Sequence, residues 1–267
     1  MGIRKQTKQN PSKKKSDSLI VKIYDSKAKL IRTLKNKAPK ESGVHRTYWR
    51  LGEKGVRGPS RRAASKNAPE PRGLTVLPGS YKVVMHYAGQ KDSTMVTVAF
   101  DPRMNMSNQV LQAKYDLLKE LEKKTAIAGK AVEQLKASKK ITSSYKKQLK
   151  EHDSEAHKDL IKLSDSIAKS IGKLIDGVIG KEDKRQGITR NPDPTPMSFV
   201  FTARRYVGAL QQLPGKTETD AVKNANEKIK AAIDPIRDFY ANQWPEYRKK
   251  IEALNLSLFK DYEELKE

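Results

Sequence analysis

The sequence predicts an α+β protein with an N-terminal antiparallel β-sandwich and a C-terminal antiparallel four-helix bundle. Residues 18–103 alternate apolar and polar side chains between clusters of turn residues, which is the period of strands that bury one face. Residues 104–267 repeat apolar side chains every three or four positions, as amphipathic helices do. A chain of 267 residues is long enough for two domains of ordinary size.

A basic arm precedes the first predicted strand. Residues 1–17 have almost no apolar side chains and include Lys13, Lys14 and Lys15 in succession. Such a segment buries too little to offset the entropy of ordering, so we expect it to be disordered. It has the charge of a signal peptide but no apolar core behind it, so the sequence predicts no secretory signal.

Five strands are predicted in the sandwich. Period-two patterns and turn residues place them at residues 19–24, 30–34, 44–51, 77–87 and 94–100. Trp49 and Tyr81 are expected in the core of the sandwich, and a surface platform for carbohydrate is the alternative. Pro102 is counted with this structural core, because proline lacks a backbone donor and suits a strand end where the chain changes direction.

A long loop at residues 52–73 separates the third and fourth strands and is the best binding candidate. It is rich in Gly, Pro and Arg and has no periodicity. Its basic side chains are predicted to contact a polyanion, assisted by the arm. They are Arg57, Arg61, Arg62, Lys66 and Arg72. The alternative is an ordinary solvated loop.

Four helices are predicted after residue 104. Caps, apolar periodicity and breakers place their starts near Asn105 or Ser107, near residue 160, at Met197 and at Thr217, with kinks in the last helix at Pro235 and Pro245. The short connections favour an up-down bundle.

Composition and spacing exclude several kinds of site. The chain has no cysteine, which excludes disulfides, zinc-thiolate centres and thiol nucleophiles. Six residues separate Gly208 from Gly215, whereas a phosphate-binding loop has four between its glycines, so this spacing excludes such a loop. His152 and His157 are five apart, outside the i,i+4 spacing at which two histidines share a metal. We expect no catalytic site, no metal, no cofactor and no membrane span.

The net charge indicates an anionic partner. The formal charge is +24, and residues 1–103 hold 24 basic against 7 acidic residues, while residues 104–267 hold 31 against 24. A positive field attracts nucleic acid, anionic lipid and acidic polymers alike.

Five short motifs carry a family resemblance. They are LIVKIYD at residues 19–25, LIRTL at 30–34, GVHRTYWRL at 43–51, LPGSYKV at 77–83 and DPR at 101–103. In this order they resemble the C-terminal region of large bacterial secreted proteins with sortilin-like or Asp-box (BNR) β-propellers, many of them labelled glycosyl hydrolases. The resemblance covers everything after the arm. It implies an Ig-like domain, similar to that of flagellar hook-capping proteins, joined at Asp-Pro-Arg to a helical region.

This sequence departs from the family in two respects. Arg50 follows the tryptophan where the family usually has an acidic or amide residue, and the propeller is absent. Functional residues of that propeller therefore do not carry over to this chain.

The leading interpretation is a non-catalytic docking module of a larger assembly. The resemblance implies a secreted or periplasmic location and a protein partner, with a β-propeller chain as one candidate. One alternative is a polyanion-binding protein, for nucleic acid or an acidic polymer, that uses residues 4–15 and 54–72. Another is the detached C-terminal part of a glycosidase-like propeller protein. The oligomeric state stays open, and so does a cytoplasmic location.

Overall fold

The computed structural model describes residues 18–39, 41–63, 65, 68–104, 106–152, 155–182 and 193–254. Antiparallel sheets formed by the N-terminal part of the chain are followed by helices, which confirms the predicted α+β class. The arm with Lys13, Lys14 and Lys15, and Lys66 of the basic loop, lie outside the described residues.

Six strands form two antiparallel sheets. The larger sheet has the order β2-β1-β5-β6, and the smaller pairs β3 with β4. The strands are β1 (Ser18–Tyr24), β2 (Leu30–Lys37), β3 (Gly52–Lys54), β4 (Arg72–Thr75), β5 (Gly79–Tyr87) and β6 (Gln90–Val98).

Tight turns fix the two hairpins of the larger sheet. Between β1 and β2, the Asp25 carboxylate accepts hydrogen bonds from the backbone N–H groups of Lys27 and Lys29, both at 2.9 Å, as the polar turn predicted. Between β5 and β6 the turn is only Ala88-Gly89, with φ of 51° and 80°. Positive φ at both positions is typical of the two-residue hairpin turn, so β6 begins four residues earlier than predicted.

The strand predicted at residues 44–51 is wrong. This segment has no regular secondary structure and belongs to neither sheet, and Val44 and Tyr48 are 98% and 72% exposed. Leu51 ends it with φ of 51°, a conformation that interrupts a strand. A β-rich composition alone does not make a strand when no neighbouring strand offers a hydrogen-bonding edge.

One face of the larger sheet carries the core of this region. Ile23 and Val21 of β1 pack with Tyr81 of β5, and Val76 and Val98 complete the cluster. Trp49 is half-buried against it, in edge-to-face contact with Tyr81 at a ring-centroid distance of 5.4 Å, and its indole N–H donates to the carbonyl of Gly52 at 3.0 Å. Trp49 thus reaches the core from an irregular segment and not from a strand.

Pro102 is not part of the core. It lies exposed in a turn in which the N–H of Met104 donates to the carbonyl of Asp101 at 3.0 Å. The Asp101 carboxylate also accepts from the guanidinium of Arg103, which lowers the pKa of Asp101. Asp-Pro-Arg is therefore a hydrogen-bonded surface turn.

Helices make up most of the described chain after Ser107. The first is 45 residues long, roughly 68 Å. The helices are α1 (Asn108–His152), α2 (Lys158–Ile179), α3 (Pro196–Ala209), α4 (Lys216–Asp238) and α5 (Trp244–Glu252).

Local capping explains where the helices begin. The hydroxyl of Ser107 accepts from the N–H of Val110 at 3.3 Å at the start of α1, which confirms one of the two predicted caps. Thr195 does the same for Ser198 at the start of α3. The fourth helix begins at Lys216 and not at Thr217, because the Glu218 carboxylate accepts from the N–H of Gly215 at 2.9 Å.

A π-helical turn, Phe239–Gln243, joins α4 to α5. It lies between Pro235 and Pro245, the two predicted kink positions. Each proline lacks a backbone donor, and a wider turn accommodates the lost i→i−4 hydrogen bonds. The chain therefore continues as a helix through both prolines.

Contacts divide the chain into two compact units. The sheet unit comprises residues 1–55 and 66–104, and the helical unit comprises residues 56–65 and 105–267. Ten residues of the predicted basic loop therefore belong with the helices and not with the sheets. None of the described helices is both long enough and apolar enough to span a membrane.

Candidate polyanion-binding surface

The described residues of the segment 56–65, which is called the strap here, lie against helix α1. A Cβ added to Gly129 of α1 would stand 2.3 Å from the carbonyl oxygen of Arg57, closer than atoms can approach. Gly58 of the strap faces the Thr125 methyl group from the same side. Because only glycine leaves room for such a contact, the strap packs directly on the helix backbone.

Arg61 of the strap is a structural residue. Its guanidinium contacts the Asp176 carboxylate at 2.6 Å and the carbonyl oxygen of Gly180 at 2.5 Å. Both groups lie at the C-terminal end of α2, where unpaired carbonyls and the helix dipole favour a cation. Arg61 therefore ties the strap to α2 and is already supplied with anionic partners.

A lysine of α1 holds the other side of the strap. The ammonium group of Lys136 donates to the carbonyls of Ser60 and Arg62 at 3.2 and 3.1 Å, and to Glu133 at 2.8 Å. The side chain of Arg62 is exposed. The strap thus lies between α1 and the end of α2 as a fixed element of the helical unit.

The structure groups only some of the predicted binding residues. Arg57, Arg61 and Arg62 lie together on the strap, in the helical unit. Arg72 lies on β4, in the sheet unit, where it pairs with Lys54.

A larger basic surface, which sequence analysis missed, continues from the strap along α1. Residues 134–150 contain six lysines and no acidic residue. At about 100° per residue, all six fall within an arc of roughly 120° and a length of about 21 Å. The stripe consists of Lys136, Lys139, Lys140, Lys146, Lys147 and Lys150. We call this set the lysine stripe.

Among the described residues, few groups neutralise the stripe. Lys136 is held by the strap, and Lys146 contacts the Asp165 carboxylate of α2 at 2.5 Å. Lys147 stands 3.6 Å from Glu151 in a pair whose side chains are 79% and 47% exposed, a geometry that contributes little. Lys139, Lys140 and Lys150 are exposed.

Asp165 is the acidic residue at the centre of this surface. Its hydrogen bond to Lys146 lowers its pKa, and the charges of Lys146, Lys169 and Lys150 add to the effect. Several ammonium groups thus converge on one carboxylate. An open groove of about 300 Å³ lies beside it, lined on α1 by Thr142, Ser143, Lys146, Lys147 and Lys150 and on α2 by Ser164, Asp165 and Ala168.

The sequence contained the signal for this surface. Lysines spaced three, four and seven apart fall on one side of a helix, and residues 134–150 contain no Asp or Glu among them. The period of the apolar residues predicted the helix, whereas the period of its lysines carries the signal for the basic surface.

The described residues contain no group of three or more metal-ligating side chains. No family model, curated protein or solved structure matches the chain. The candidate function therefore has to be argued from the surface itself.

Proposed function

We propose that this chain is a non-catalytic attachment module that binds polyanions through the lysine stripe. The observation that carries the proposal is the placement of six lysines on one side of α1 with no carboxylate among residues 134–150. An anionic polymer that neutralises such a row releases its counterions, which is a favourable and sequence-independent contribution to binding.

The shape of the surface suits a repeating ligand. The stripe extends over about 21 Å and lies beside an open groove, so a ligand can make many weak contacts along it. Lysine acts as a flexible point charge and requires no particular geometry of its anion. The net charge of +24 adds long-range attraction of the same sign.

The test is binding of linear polyphosphate to the full chain as a function of salt. A variant with K139Q, K140Q, K147Q and K150Q removes four exposed charges of the stripe and keeps helix-forming side chains. We expect weaker binding and a salt dependence, log K against log salt, that is shallower by roughly 3, at about 0.7 per lost contact.

A matched control removes four exposed lysines elsewhere on the helical unit. K123Q, K130Q, K223Q and K250Q make the same change in net charge, and these lysines lie on other faces of α1 and on α4 and α5. The control variant should bind nearly as well as the wild type. Equal loss of affinity in the two variants would mean that net charge alone attracts the polymer, and the proposal would then fail.

A second candidate function is docking to a protein partner by the sheet unit. We infer that this unit is an Ig-like sandwich, supported by the packing of Val76 and Trp49 against one face of the larger sheet, and that the helices form an antiparallel bundle. The family resemblance suggests a secreted or periplasmic assembly. Its candidate partners include a β-propeller chain.

The edge strand β6 favours this second candidate. It is nine residues long, pairs on one side with β5, and exposes most of its side chains, including Met95 at 62%. A long open edge is suited to strand addition by a partner.

A pull-down at high salt separates the two candidates. A defined partner that resists salt and is lost with M95K, but is retained by the quadruple stripe variant, would support docking through β6. Loss of all partners at high salt would count against it.

A further inference from the structure

The lysine stripe is one half of a two-helix surface. Helix α2 runs antiparallel beside α1. Lys146, near the end of α1, contacts Asp165, which lies in the first half of α2. Lys136, earlier in α1, contacts the strap, which Arg61 ties to the end of α2. Lys162 and Lys169 of α2 are exposed and lie within about 60° of Asp165 around that helix. Lys150 of α1 and Lys169 of α2 both act on the Asp165 carboxylate, so the two rows of charge meet there.

We call this combined surface the lysine face. The ion pair of Lys146 and Asp165 joins the two helices within this face. The other lysines of the face lie on either helix. They are Lys139, Lys140, Lys147 and Lys150 on α1, and Lys162 and Lys169 on α2. Because Lys146 compensates Asp165, that carboxylate adds little repulsion toward an approaching anion.

The width of the lysine face disfavours a duplex groove. Two packed helices have axes about 8–10 Å apart, and each is about 10–12 Å across with its side chains. The pair is therefore roughly 20 Å wide, whereas the major groove of DNA admits a single helix at about 12 Å. A duplex would meet this surface only along a narrow strip of phosphates.

The composition of the α1 arc disfavours single strands. The positions of the stripe are filled by lysines and Ser143 and include no aromatic side chain on which a base could stack. Two helices lying side by side present their ammonium groups to one plane, and lysine stems adapt to anions that have no fixed spacing. A plane of phosphate groups contacts such a surface over its whole area.

We propose that the lysine face binds the phosphate headgroups of an anionic phospholipid surface. This inference rests on the proposed polyanion binding and names its ligand. The helical unit then lies with α1 and α2 parallel to the plane of the headgroups, and it is held by charge without inserting into the bilayer. Each lysine near such a surface contributes about a fivefold gain in affinity.

The experiment is co-sedimentation of the full chain with vesicles near physiological salt. The probes are vesicles of phosphatidylcholine alone, and vesicles of equal parts phosphatidylcholine and phosphatidylglycerol. We expect binding to the anionic vesicles only. The variant K139Q, K140Q, K147Q and K150Q should bind roughly a thousandfold more weakly, and the control K123Q, K130Q, K223Q and K250Q should stay within about tenfold of the wild type.

A second arm distinguishes the failure of this inference from the failure of the proposed function. Linear polyphosphate and duplex DNA are offered at the same phosphate concentration and salt as the anionic vesicles. Stripe-dependent binding to either polymer without binding to the vesicles would overturn the lipid assignment and leave the polyanion module standing. Absence of stripe-dependent binding to all three probes would overturn both.

A further substitution pair tests the contribution of α2. K162Q with K169Q should weaken vesicle binding by roughly 25-fold if both helices lie on the headgroups. An unchanged affinity would contradict the two-helix orientation. Circular dichroism and a thermal melt of each variant check that the fold is retained.

Discussion

The strap and the lysine stripe are neighbouring basic regions, but Arg61 of the first contacts the protein itself, whereas most charges of the second face solvent. On the strap, Arg61 is paired with Asp176 and with the carbonyl of Gly180, so its charge stabilises the end of α2. On the stripe, Lys139, Lys140 and Lys150 are exposed to solvent. The arginines stand out in the sequence, yet the lysines offer more charge to a ligand. Density of charge in a sequence therefore identifies a binding surface only after the protein's own anions have been assigned.

A substitution that detaches the strap from α1 should have the greatest consequence for stability. Gly129→Ala places a Cβ against the carbonyl of Arg57, a backbone atom that cannot rotate away. We expect the free energy of unfolding to fall by about 1–3 kcal/mol, despite the gain of about 1 kcal/mol that alanine brings to a helix. Urea denaturation measures the change.

Gly172→Ala on α2 is the matched substitution. A Cβ there meets no atom within 4 Å, so the helix-propensity gain should appear as a stabilisation of up to about 1 kcal/mol. If Gly129→Ala also stabilised the protein, the strap would be only loosely held and its role as a fixed element would be wrong.

Substitutions of Arg61 and Lys150 should have smaller effects, and these effects should differ in kind. Arg61→Ala should lower the free energy of unfolding by about 1 kcal/mol, because it removes a partly exposed ion pair and a helix C-terminal contact, and should change polyphosphate affinity little. Lys150→Gln should do the reverse, leaving stability within about 0.5 kcal/mol and weakening binding several-fold. Urea denaturation measures the stability of the two variants, and fluorescence anisotropy measures their affinity for polyphosphate. A variant that lost both stability and affinity would contradict the assignment of Arg61 to structure and of Lys150 to binding.

The smallest expected effect concerns acid. The pKa of Asp165 is lowered in the folded protein, first by its hydrogen bond to Lys146. A carboxyl group with a depressed folded pKa contributes stability that is present above its unfolded value, near pH 4, and is lost as the pH falls through the folded value. Asp165→Asn should therefore be slightly less stable than the wild type at neutral pH and equal to it in strong acid. A difference in urea midpoint that persisted in acid would show that the carboxylate acts through packing and not through charge.

Local patterns sufficed for much of this fold. The hairpins of β1 with β2 and β5 with β6 follow from alternation and turn residues, and the helices follow from apolar spacing and caps. That residues 44–51 pair with no strand could not be inferred locally, because a strand exists only where a neighbour pairs with it.

The lysine stripe was predictable from the sequence, but the contacts of the strap were not. The stripe needs only helical periodicity and could have been found by projecting residues 134–150 onto a helix. The ion pair of Arg61 with Asp176 could not have been predicted, because the two residues are 115 positions apart in the sequence. The docking of the strap on Gly129 is likewise a long-range contact whose only local trace is a glycine inside a helix.

The split origin of the helical unit has a practical consequence for fragments of this protein. A fragment cut after Met104 would carry the helices but not residues 56–65, so the backbone groove at Gly129 and the carbonyl end of α2 would be left open to water. The sheet fragment would in turn carry ten residues without the surface on which they rest. A single crossover at this joint would therefore separate the helical unit from its strap, and an exchange that keeps the helical unit whole has to carry residues 56–65 with it.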